Sequence, residues 1–424
     1  MSRFIIQGKQ KLGGIFKPSG NKNAVLPMLA ACLLTDKPLE LANVPQIEDV
    51  ATMLEILDDL GVSVQRNEHT VKLCAAGLRK RRLDRELCHR VRSSILFAGP
   101  LLARHRQATL YPPGGDIIGR RRVDTHFLGL RALGVGISGG DSYTFHRKEL
   151  RGAEILLDEA SVTATENILM AATLAKGATT IFNAACEPHV QDLCVLLNRM
   201  GARITGIGTN RITIEGVASL HGAAHAVAPD HVEIGSFLAA AAVTGGELAI
   251  PDVSPDLLAP LLRPFRILGI NLQMTDGALQ LASHRKLRMQ SDFGLAIPKI
   301  EDGPWPSFPS DLMSVAIVAG TQSQGTVLFF EKMFESRMVF VDRLVNMGAR
   351  IVPCDPHRVV VIGPSRLHAL RMAGPDIRAG MAMLIAALCA KGESVIENAQ
   401  VIDRGYERVE ERLRALGASI TREE

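Results

Sequence analysis

The sequence predicts an α/β protein of two domains, each made of three repeated units with buried helices inside and sheets around them. An amphipathic segment that ends in Leu-Gly or Met-Gly recurs six times, at intervals of about 70 residues. Each closing glycine suits a helix C-cap, where a left-handed residue ends the helix. The six glycines are Gly61, Gly134, Gly201, Gly269, Gly348 and Gly417.

A second segment in each unit consists almost entirely of small and aliphatic residues. A helix that is apolar on every side is buried on every side, so these segments predict one central helix per unit. The apolar alternation after a glycine, as in Ala202–Thr205, predicts a strand, and a second strand such as Ile212–Glu215 follows a turn. The predicted central helices are Ala24–Leu34, Ile95–Leu102, Ile168–Ala175, Phe237–Val243, Leu312–Ala319 and Met381–Ala390.

The two ends of the sequence complement each other. The sixth unit stops after Ala418–Thr421 without its second strand, and the first residues, Phe4–Gly8, match the second strands of other units. We therefore expect the N-terminal strand to complete the sixth unit. The domains would then be Lys22–Pro229 and, discontinuously, Met1–Asn21 with Asp230–Glu424. Two connections at nearly one place predict a hinge, with the ligand cleft between the domains.

Composition excludes several classes of protein. Hydrophobic residues make up 47% of the 424 residues and aromatic residues only 4%, which predicts large aliphatic cores. A net charge of +4 with both signs mixed argues against nucleic acid, and the basic run Arg79–Arg82 is typical of a solvated face. Seven cysteines without a CxxC spacing favour a reducing compartment and argue against a zinc site. The apolar runs are too short for a membrane span, so we expect a cytoplasmic protein with no membrane partner.

The stretch Tyr111–His126, which reads YPPGGDIIGRRRVDTH, is typical of a mobile surface loop because prolines and glycines interrupt any regular element. It carries one carboxylate, Asp116, followed by Arg120, Arg121 and Arg122. A hinged loop with one ionisable group beside fixed positive charges suits closure over an anionic substrate. An ordinary solvated turn with a run of charges stays the alternative.

The N-terminal ends of the predicted central helices are unusually polar. Capping by Ser, Thr and Asp explains part of this. Capping does not explain the cations at these ends, because a cation is repelled by the positive N-terminal end of the helix macrodipole. A cation is favourable there if a bound anion lies between it and the helix end. If the units direct these ends at one cleft, a ligand with phosphate and carboxylate groups could be bound by Lys22, Arg92, Arg121, Arg337, Arg378 and Arg404.

Seven motifs follow one another in a recognisable order. They are SGNKNAVLP (Ser19–Pro27), PPGGDIIGRRRVDTH (Pro112–His126), SVTATENI (Ser161–Ile168), FPSDLM (Phe308–Met313), FESR (Phe334–Arg337), PDIRAG (Pro375–Gly380) and IDRGYER (Ile402–Arg408). With them the whole sequence resembles the UDP-N-acetylglucosamine 1-carboxyvinyltransferase family. The resemblance implies two domains of three βαβαββ units each, an inside-out α/β barrel. It also implies transfer of the enolpyruvyl group of phosphoenolpyruvate to the 3′-hydroxyl of UDP-N-acetylglucosamine with release of phosphate, the first committed step of peptidoglycan synthesis.

The resemblance implies roles for the residues that bind phosphoenolpyruvate and perform the chemistry. Lys22 and Asn23 would contact phosphoenolpyruvate, with Lys22 on its phosphate, and Arg121 and Arg404 would complete the anion clamp. Asp116 would be the proton donor. Asp311 would take the proton from the sugar 3′-hydroxyl or orient that hydroxyl.

Other positions correspond to residues around the nucleotide sugar and the cleft. Arg92 would help to hold the nucleotide sugar, and Met333 would lie against the sugar. Arg337, Asp376 and Arg378 would support the closed cleft. The pocket for UDP would be lined by Arg121, Arg122, Val123, Asp124, Thr125, Ser161 and Val162.

The main departure from the family pattern is Asp116, because the family usually has Cys there and only some members have Asp. The Cys is the target of the epoxide antibiotic fosfomycin, so we expect a chain with Asp116 to resist alkylation. Smaller departures are Arg122 where Pro is common, Glu159 where some members have Lys, and His231 where Arg is frequent. They concern nucleotide binding rather than the class of reaction.

Three alternatives remain open at the level of sequence. The nearest is 5-enolpyruvylshikimate-3-phosphate synthase, which the resemblance gives the same fold and chemistry, although the Lys22-Asn23-Ala24 sequence and the loop favour the nucleotide-sugar enzyme. The second is a silent paralogue that binds UDP-N-acetylglucosamine without turnover, and a nucleic-acid module is a distant third. We expect no cofactor and no metal. The oligomeric state is left open, with a monomer plausible.

Overall fold

The computed structural model describes residues 2–116, 118–275, 277–284 and 286–424. The chain divides into two compact units. The terminal unit comprises Met1–Pro18, Asp116–Arg121 and Asp230–Glu424, and the central unit comprises Ser19–Gly115 and Arg122–Pro229. The loop segment Asp116–Arg121 thus groups with the terminal unit, although the sequence predicted it within the other domain.

Helices and strands are interspersed along the described residues. The α-helices are α1 (Lys22–Ala31), α2 (Glu48–Leu60), α3 (Arg85–Arg90), α4 (Ala98–Arg104), α5 (Asp124–Ala132), α6 (Val162–Ala172), α7 (Pro188–Arg199), α8 (His231–Val243), α9 (Pro255–Ile267), α10 (Met313–Gln322), α11 (Val341–Asn346), α12 (Ile377–Cys389), α13 (Gln400–Asp403) and α14 (Val409–Ala415). Short 3-10 helices are Cys32–Leu34, Ala75–Gly77, Arg92–Phe97, Phe293–Leu295 and Ser310–Leu312.

The strands are short, as expected from the brief apolar alternations. They are β1 (Arg3–Gln7), β2 (Gly13–Ile15), β3 (Leu39–Ala42), β4 (Ser63–Asn67), β5 (Thr70–Cys74), β6 (Gln107–Leu110), β7 (Val135–Ser138), β8 (Tyr143–Arg147), β9 (Glu154–Leu156), β10 (Ala178–Phe182), β11 (Arg203–Thr205), β12 (Arg211–Glu215), β13 (Ala223–Ala226), β14 (Glu247–Pro251), β15 (Leu272–Thr275), β16 (Ala278–Leu281), β17 (Leu287–Arg288), β18 (Lys299–Glu301), β19 (Ser323–Phe330), β20 (Arg350–Asp355), β21 (Arg358–Gly363), β22 (Arg371–Ala373), β23 (Glu393–Glu397) and β24 (Ser419–Glu423).

Within the described residues, each unit holds three small sheets, all of them mixed except the antiparallel sheet β6-β8-β7. The central unit has the strand orders β13-β3-β5-β4, β11-β12-β10-β9 and β6-β8-β7. The terminal unit has β22-β23-β1-β24, β15-β16-β14-β2 and β17-β19-β21-β20, and β18 also pairs with β19. Three units per domain, expected from the repeats, are therefore confirmed as three sheets in each compact unit.

The apolar helices form the interior of each unit. In the terminal unit α8, α10 and α12 pack against one another, and each also packs against a different sheet. Nearly all their residues are buried. The predicted segment Ile95–Leu102 differs in detail, because a 3-10 turn over Arg92–Phe97 precedes α4. Pro100 lies in the first turn of α4, where its missing N–H breaks no helical hydrogen bond.

The repeated glycines act as predicted. Gly61, Gly134, Gly201, Gly269, Gly348 and Gly417 all have φ between +80° and +100°. A left-handed backbone at these positions is easily adopted by glycine, and a side chain would strain it. Each glycine lies one or two residues beyond the end of an outer helix, so a left-handed glycine begins the turn into the next strand six times.

The N-terminal strand completes the last sheet. β1 lies between β23 and β24 and is antiparallel to both, with Phe4 opposite Ile396 and Ile6 opposite Ile420. Phe4 and Ile6 alternate with more exposed neighbours and are fully buried. The prediction that the first strand belongs to the sixth unit is confirmed.

We expect Phe4→Ala to lower the free energy of unfolding by about 3–5 kcal/mol, because a fully buried aromatic side chain would leave a cavity between β1 and the central helices. Urea denaturation would measure the change. Phe293→Ala is the matched control, since Phe293 is fully exposed in the same unit and should change stability by less than about 0.5 kcal/mol. Equal effects of the two substitutions would contradict a stabilising role for β1.

No helix among the described residues combines the length and apolar character needed to cross a membrane.

Candidate functional site

The loop carboxylate is held by an arginine of the terminal unit. A side-chain oxygen of Asp116 accepts a hydrogen bond from Nη1 of Arg404, the residue after α13. The side chains are about one fifth exposed, 17% for Asp116 and 22% for Arg404. Asp116 thus lies beside a fixed cation and stays accessible to a ligand.

Arg121 lies in the field of the same charges. Burial lowers the pKa of Arg121, while the negative charges of Asp116 and Asp311 act in the opposite direction. The positive charges of Arg337 and Arg404 lower it further. A guanidinium that is desolvated and surrounded by other cations is stabilised when an anion binds beside it. This part of the site therefore favours an anionic ligand.

Asp311 joins two buried arginines. It lies in the 3-10 turn before α10, with Oδ1 3.1 Å from Nη2 of Arg337 and Oδ2 2.8 Å from Nη2 of Arg378. Arg337 and Arg378 are almost completely buried, whereas the Asp311 side chain is 27% exposed. Burial acts to lower the pKa of Arg378, but Asp311, Tyr406 and Asp230 together outweigh it and the pKa is raised. The Asp311 carboxylate is thus bound by two guanidinium groups and is still partly exposed.

Asp376 forms the N-cap of α12. Its Oδ1 accepts hydrogen bonds from the backbone N–H groups of Arg378 at 2.8 Å and Ala379 at 3.0 Å. Burial raises the pKa of Asp376, and the charge of Asp116 acts in the same direction. The cap satisfies two of the free N–H groups of the first turn and fixes the position from which the Arg378 side chain extends to Asp311.

The loop is also held through its backbone. Arg120 donates its N–H to Oε2 of Glu335 at 3.1 Å, and Ser336 donates its N–H to the carbonyl oxygen of Ile118 at 3.2 Å. Gly119 lies between these contacts at φ +129°, and a Cβ atom there would lie 2.4 Å from Oε2 of Glu335. Met333, in the same turn as Glu335, is 41% exposed and can contact a ligand.

In the central unit, Lys22 opens α1 and is buried against Asp49. The Nζ atom of Lys22 lies 2.8 Å from Oδ2 of Asp49, and both residues are at least nine-tenths buried. The side chain of Asn21 caps the helix by accepting from the N–H groups of Asn23 and Ala24. The ammonium group of a lysine is a point charge that suits a phosphate group, and Asp49 holds that of Lys22 in place.

A second polar group of the central unit surrounds the start of α5. Arg92 donates to the carbonyl oxygen of Arg122 at 3.2 Å, and the Arg122 side chain binds Asp158 at 2.7 Å. Asp158 also accepts from the hydroxyl of Thr125 at 2.7 Å. Val123 and Asp124 form the start of α5 within this group.

The turn that begins α6 is continuous with this group. Thr125 also donates to Glu159 at 3.3 Å, and Ser161 donates its N–H to the carbonyl oxygen of Glu159. Val162 follows as the first residue of α6. The predicted lining residues Arg122, Val123, Asp124, Thr125, Ser161 and Val162 are therefore on two connected turns of the central unit.

The predicted site residues thus form two sets, one in each unit. The first set is Asp116, Arg121, Asp311, Met333, Arg337, Asp376, Arg378 and Arg404 in the terminal unit, and the second is Lys22, Asn23, Arg92, Arg122, Val123, Asp124, Thr125, Ser161 and Val162 in the central unit. Sequence reasoning missed Asp49, Asp158 and Glu335, which bind members of these sets. Each stands among other acidic residues in the sequence, so no local signal distinguished it.

The comparisons with known proteins concern the family and the fold of the chain. A family model described as EPSP synthase (3-phosphoshikimate 1-carboxyvinyltransferase) matches residues 6–413. The structure resembles the enolpyruvyl transferase NikO from Streptomyces tendae with a TM-score of 0.88 and 23% identity, over 99% of this chain and 98% of that one. Fold and family model together define an enolpyruvyl transferase, and the α/β fold class predicted from the sequence is confirmed.

Curated relatives give the finer placement. UDP-N-acetylglucosamine 1-carboxyvinyltransferase of Treponema denticola is 52% identical over 421 residues, which cover 99% of both chains. The protein of the same name from Treponema pallidum is 53% identical over 100% of both chains. The chain belongs to the UDP-N-acetylglucosamine 1-carboxyvinyltransferase family.

Proposed function

We propose that this chain transfers the enolpyruvyl group of phosphoenolpyruvate to the 3′-hydroxyl of UDP-N-acetylglucosamine and releases phosphate, as the first committed step of peptidoglycan synthesis in the cytoplasm. Full-length relatives at about half identity support the choice of reaction. The observation that carries the proposal is the arrangement of Asp311 between two buried arginines in the same unit as Asp116 and Arg404.

In the addition step, the sugar oxygen attacks C2 of phosphoenolpyruvate while C3 gains a proton. Asp311, held in place by Arg337 and Arg378, accepts the hydrogen bond and then the proton of the 3′-hydroxyl. Asp116 donates the proton that C3 gains. The base thus acts on the sugar hydroxyl and the acid acts on phosphoenolpyruvate while the new C–O bond forms. The product of the step is a tetrahedral intermediate that still carries phosphate.

In the elimination step, C3 gives a proton back to the Asp116 carboxylate and the C2–O bond to phosphate breaks. The phosphate leaves with the proton that Asp311 accepted from the 3′-hydroxyl, which returns both carboxyl groups to their starting states. Fixed cations stabilise the charge that develops on the departing phosphate, as is usual where donors are preorganised. We assign this work to Lys22, Arg121 and Arg404, with Asn23 beside phosphoenolpyruvate. Arg404 binds Asp116 in the structure, and an incoming phosphate would compete with that carboxylate for the guanidinium.

The polar turns of the central unit suit the nucleotide sugar. Arg92 and the turns at Arg122–Thr125 and Ser161–Val162 offer backbone and hydroxyl groups to a diphosphate and a uracil ring, and Met333 offers an apolar surface to the sugar. Arg337, Asp376 and Arg378 hold Asp311 and the start of α12. These assignments follow the family pattern position by position.

Release of inorganic phosphate from phosphoenolpyruvate plus UDP-N-acetylglucosamine is the direct test, with either substrate omitted as the control. Shikimate 3-phosphate in place of the nucleotide sugar should give no release. Release from phosphoenolpyruvate with shikimate 3-phosphate, but not with the nucleotide sugar, would favour the EPSP-type activity named in the family model. Binding of the nucleotide sugar without release would identify a silent paralogue.

Preincubation with fosfomycin tests the role of the loop. The antibiotic alkylates a thiolate, and Asp116 offers a carboxylate, which is a much weaker nucleophile. We expect phosphate release to survive preincubation and Asp116→Cys to become sensitive in a time-dependent manner. Inactivation of the unmodified chain would overturn this account of the loop and leave the transferase assignment in place.

We expect Gly119→Ala to lower kcat/KM at least about tenfold, because a methyl group at Gly119 meets Glu335 and the backbone there has a positive φ. Steady-state kinetics would measure the loss. Gly139→Ala is the matched control, since a Cβ atom at Gly139 meets nothing within 4 Å. Unchanged kinetics of Gly119→Ala would show that the loop does not need its contact with Glu335.

A further inference from the structure

Two fully buried carboxyl groups lie side by side in the terminal unit and take no part in the mechanism above. Asp302 directly follows β18 and Glu331 directly follows β19, and these two strands pair in parallel with Glu301 opposite Phe330. Both carboxyl groups are on residues with 0% exposure. Two buried carboxylates at adjacent strand ends repel each other strongly unless one of them holds a proton.

Glu331 binds the turn that follows it. Its Oε1 accepts hydrogen bonds from the N–H groups of Met333 at 3.2 Å and Phe334 at 3.1 Å. Ser310 donates its hydroxyl to Oε1 and Oε2 at 2.8 and 2.9 Å. Asp302 accepts from the N–H of Lys332 on the same segment. The pair therefore fixes the backbone of residues 332–334 and the residue directly before Asp311.

The same turn carries groups used in the proposed reaction. Arg337 extends from it to Asp311, and Glu335 and Ser336 bind the backbone of the loop at Arg120 and Ile118. A displacement of the turn would move Asp311, through both Ser310 and Arg337. Small displacements of reacting groups cost large factors in rate.

The charges around the pair balance when one proton is present. The one guanidinium close to the pair among the described residues is that of Arg337, whose Nε lies 3.8 Å from Oε2 of Glu331. Burial raises the pKa of Glu331 to about 9, and Asp302 adds to the rise through a hydrogen bond and its charge, while Arg337 and Ser310 act in the opposite direction. His357 contacts the Glu331 carbonyl oxygen at 2.7 Å, and the Lys332 ammonium lies 3.4 Å from Glu301.

We propose that Glu331 and Asp302 share one proton at neutral pH, and that this pair is a positioning device that fixes residues 332–337 and, through Ser310, the catalytic Asp311. The link to catalysis rests on the proposed function, whereas the shared proton does not. The two parts are therefore tested by separate measurements.

Thermal unfolding of Glu331→Gln without substrate tests the shared proton. Glutamine has the shape of a protonated glutamate and cannot ionise. Wild-type Glu331 contributes its full stability below its unfolded pKa of about 4.3, and loses that contribution as the pH rises towards its folded pKa of about 9. The melting temperature of Glu331→Gln minus that of wild type should therefore be at least about 4 °C larger at pH 9 than at pH 5.

Glu393→Gln is the matched control, because Glu393 is exposed on β23 and its difference from wild type should not change over this range. A melting-temperature difference for Glu331→Gln that is the same at pH 5 and pH 9 would overturn the shared proton, whatever reaction the chain catalyses.

Kinetics test the positioning role. Glu331→Ala removes the acceptor for three donors and should lower kcat/KM more than about tenfold, and Glu331→Gln should restore most of that loss.

Asp302→Asn should likewise be tolerated, because it also leaves one carboxylate in the pair. The double variant leaves none beside Arg337, so we expect it to lose more activity than the two single variants predict together. The proposal would be contradicted if Glu331→Gln were as impaired as Glu331→Ala. It would also be contradicted if the effects of Glu331→Gln and Asp302→Asn on kcat/KM were strictly additive in the double variant. The Gln and Asn variants keep the proposal testable if the Ala variant does not fold.

Discussion

Asp116→Asn should lower kcat by about 10²- to 10⁴-fold, the usual contribution of a general acid, because an amide cannot donate the proton that C3 requires. The side chain is 17% exposed and bound to Arg404, so the amide fits without a large change in packing. Steady-state phosphate release and thermal unfolding together would measure the effect. We expect KM for UDP-N-acetylglucosamine to change much less than kcat, because the role that we propose for Asp116 is on phosphoenolpyruvate.

The control for this substitution is Asp141→Asn, an exposed carboxylate in the turn between β7 and β8. It makes the same chemical change and should leave kcat within about twofold of wild type. Asp116→Cys should recover activity, with a pH optimum above that of wild type, because thiols release their protons at higher pH than carboxylic acids. A kcat for Asp116→Asn within threefold of wild type would remove Asp116 from the role of proton donor.

Asp311→Ala should have the second large effect, on both rate and stability. The substitution removes the base that we propose accepts the 3′-hydroxyl proton, so kcat should fall by at least about 10²-fold. It also leaves Arg337 and Arg378 without the carboxylate that bridges them, and breaking buried ion pairs from one side costs about 3–5 kcal/mol. Because Asp311 is partly exposed and water can replace it in part, we expect the lower end of that range. Phosphate release and urea denaturation would measure the two effects.

Asp311→Asn separates the two effects, because the amide oxygen can still accept a hydrogen bond from one arginine. We expect it to recover part of the lost stability and little of the lost rate. Asp292→Asn, at an exposed position of the same unit, is the control for general effects of removing a carboxylate. If Asp311→Asn retained most of the wild-type kcat, Asp311 would orient the hydroxyl without accepting its proton.

Local sequence patterns were sufficient for the repeat architecture. The C-cap glycines have left-handed backbones because the end of a helix sets that need locally, and glycine meets it at every repeat. The apolar segments became central helices because a helix without a polar face must be buried wherever it lies. Even the pairing of β1 with β23 and β24 was inferable, since the sixth unit lacked one strand and the first residues supplied it.

The pairing of side chains was not inferable in the same way. Asp49 binds Lys22, and Asp158 binds both Arg122 and Thr125, although nothing in the sequence distinguishes these carboxylates from others nearby. Glu335 is the third residue of this kind, because its contact with the loop depends on how two distant segments approach each other. The roles proposed for the site residues came from motif spacing, and they remain predictions to be tested by the variants above.

The sequence by itself determined the number of repeats, the buried helices, the strand that completes the last sheet and the family. These features depend on periodicity and on single residues whose preferences are local. Only the tertiary structure decided that Asp116 lies against Arg404, that Asp311 bridges Arg337 and Arg378, and that Asp302 and Glu331 are buried side by side. Charges respond to neighbours from anywhere in the chain and to the loss of water around them, and that environment exists only after folding.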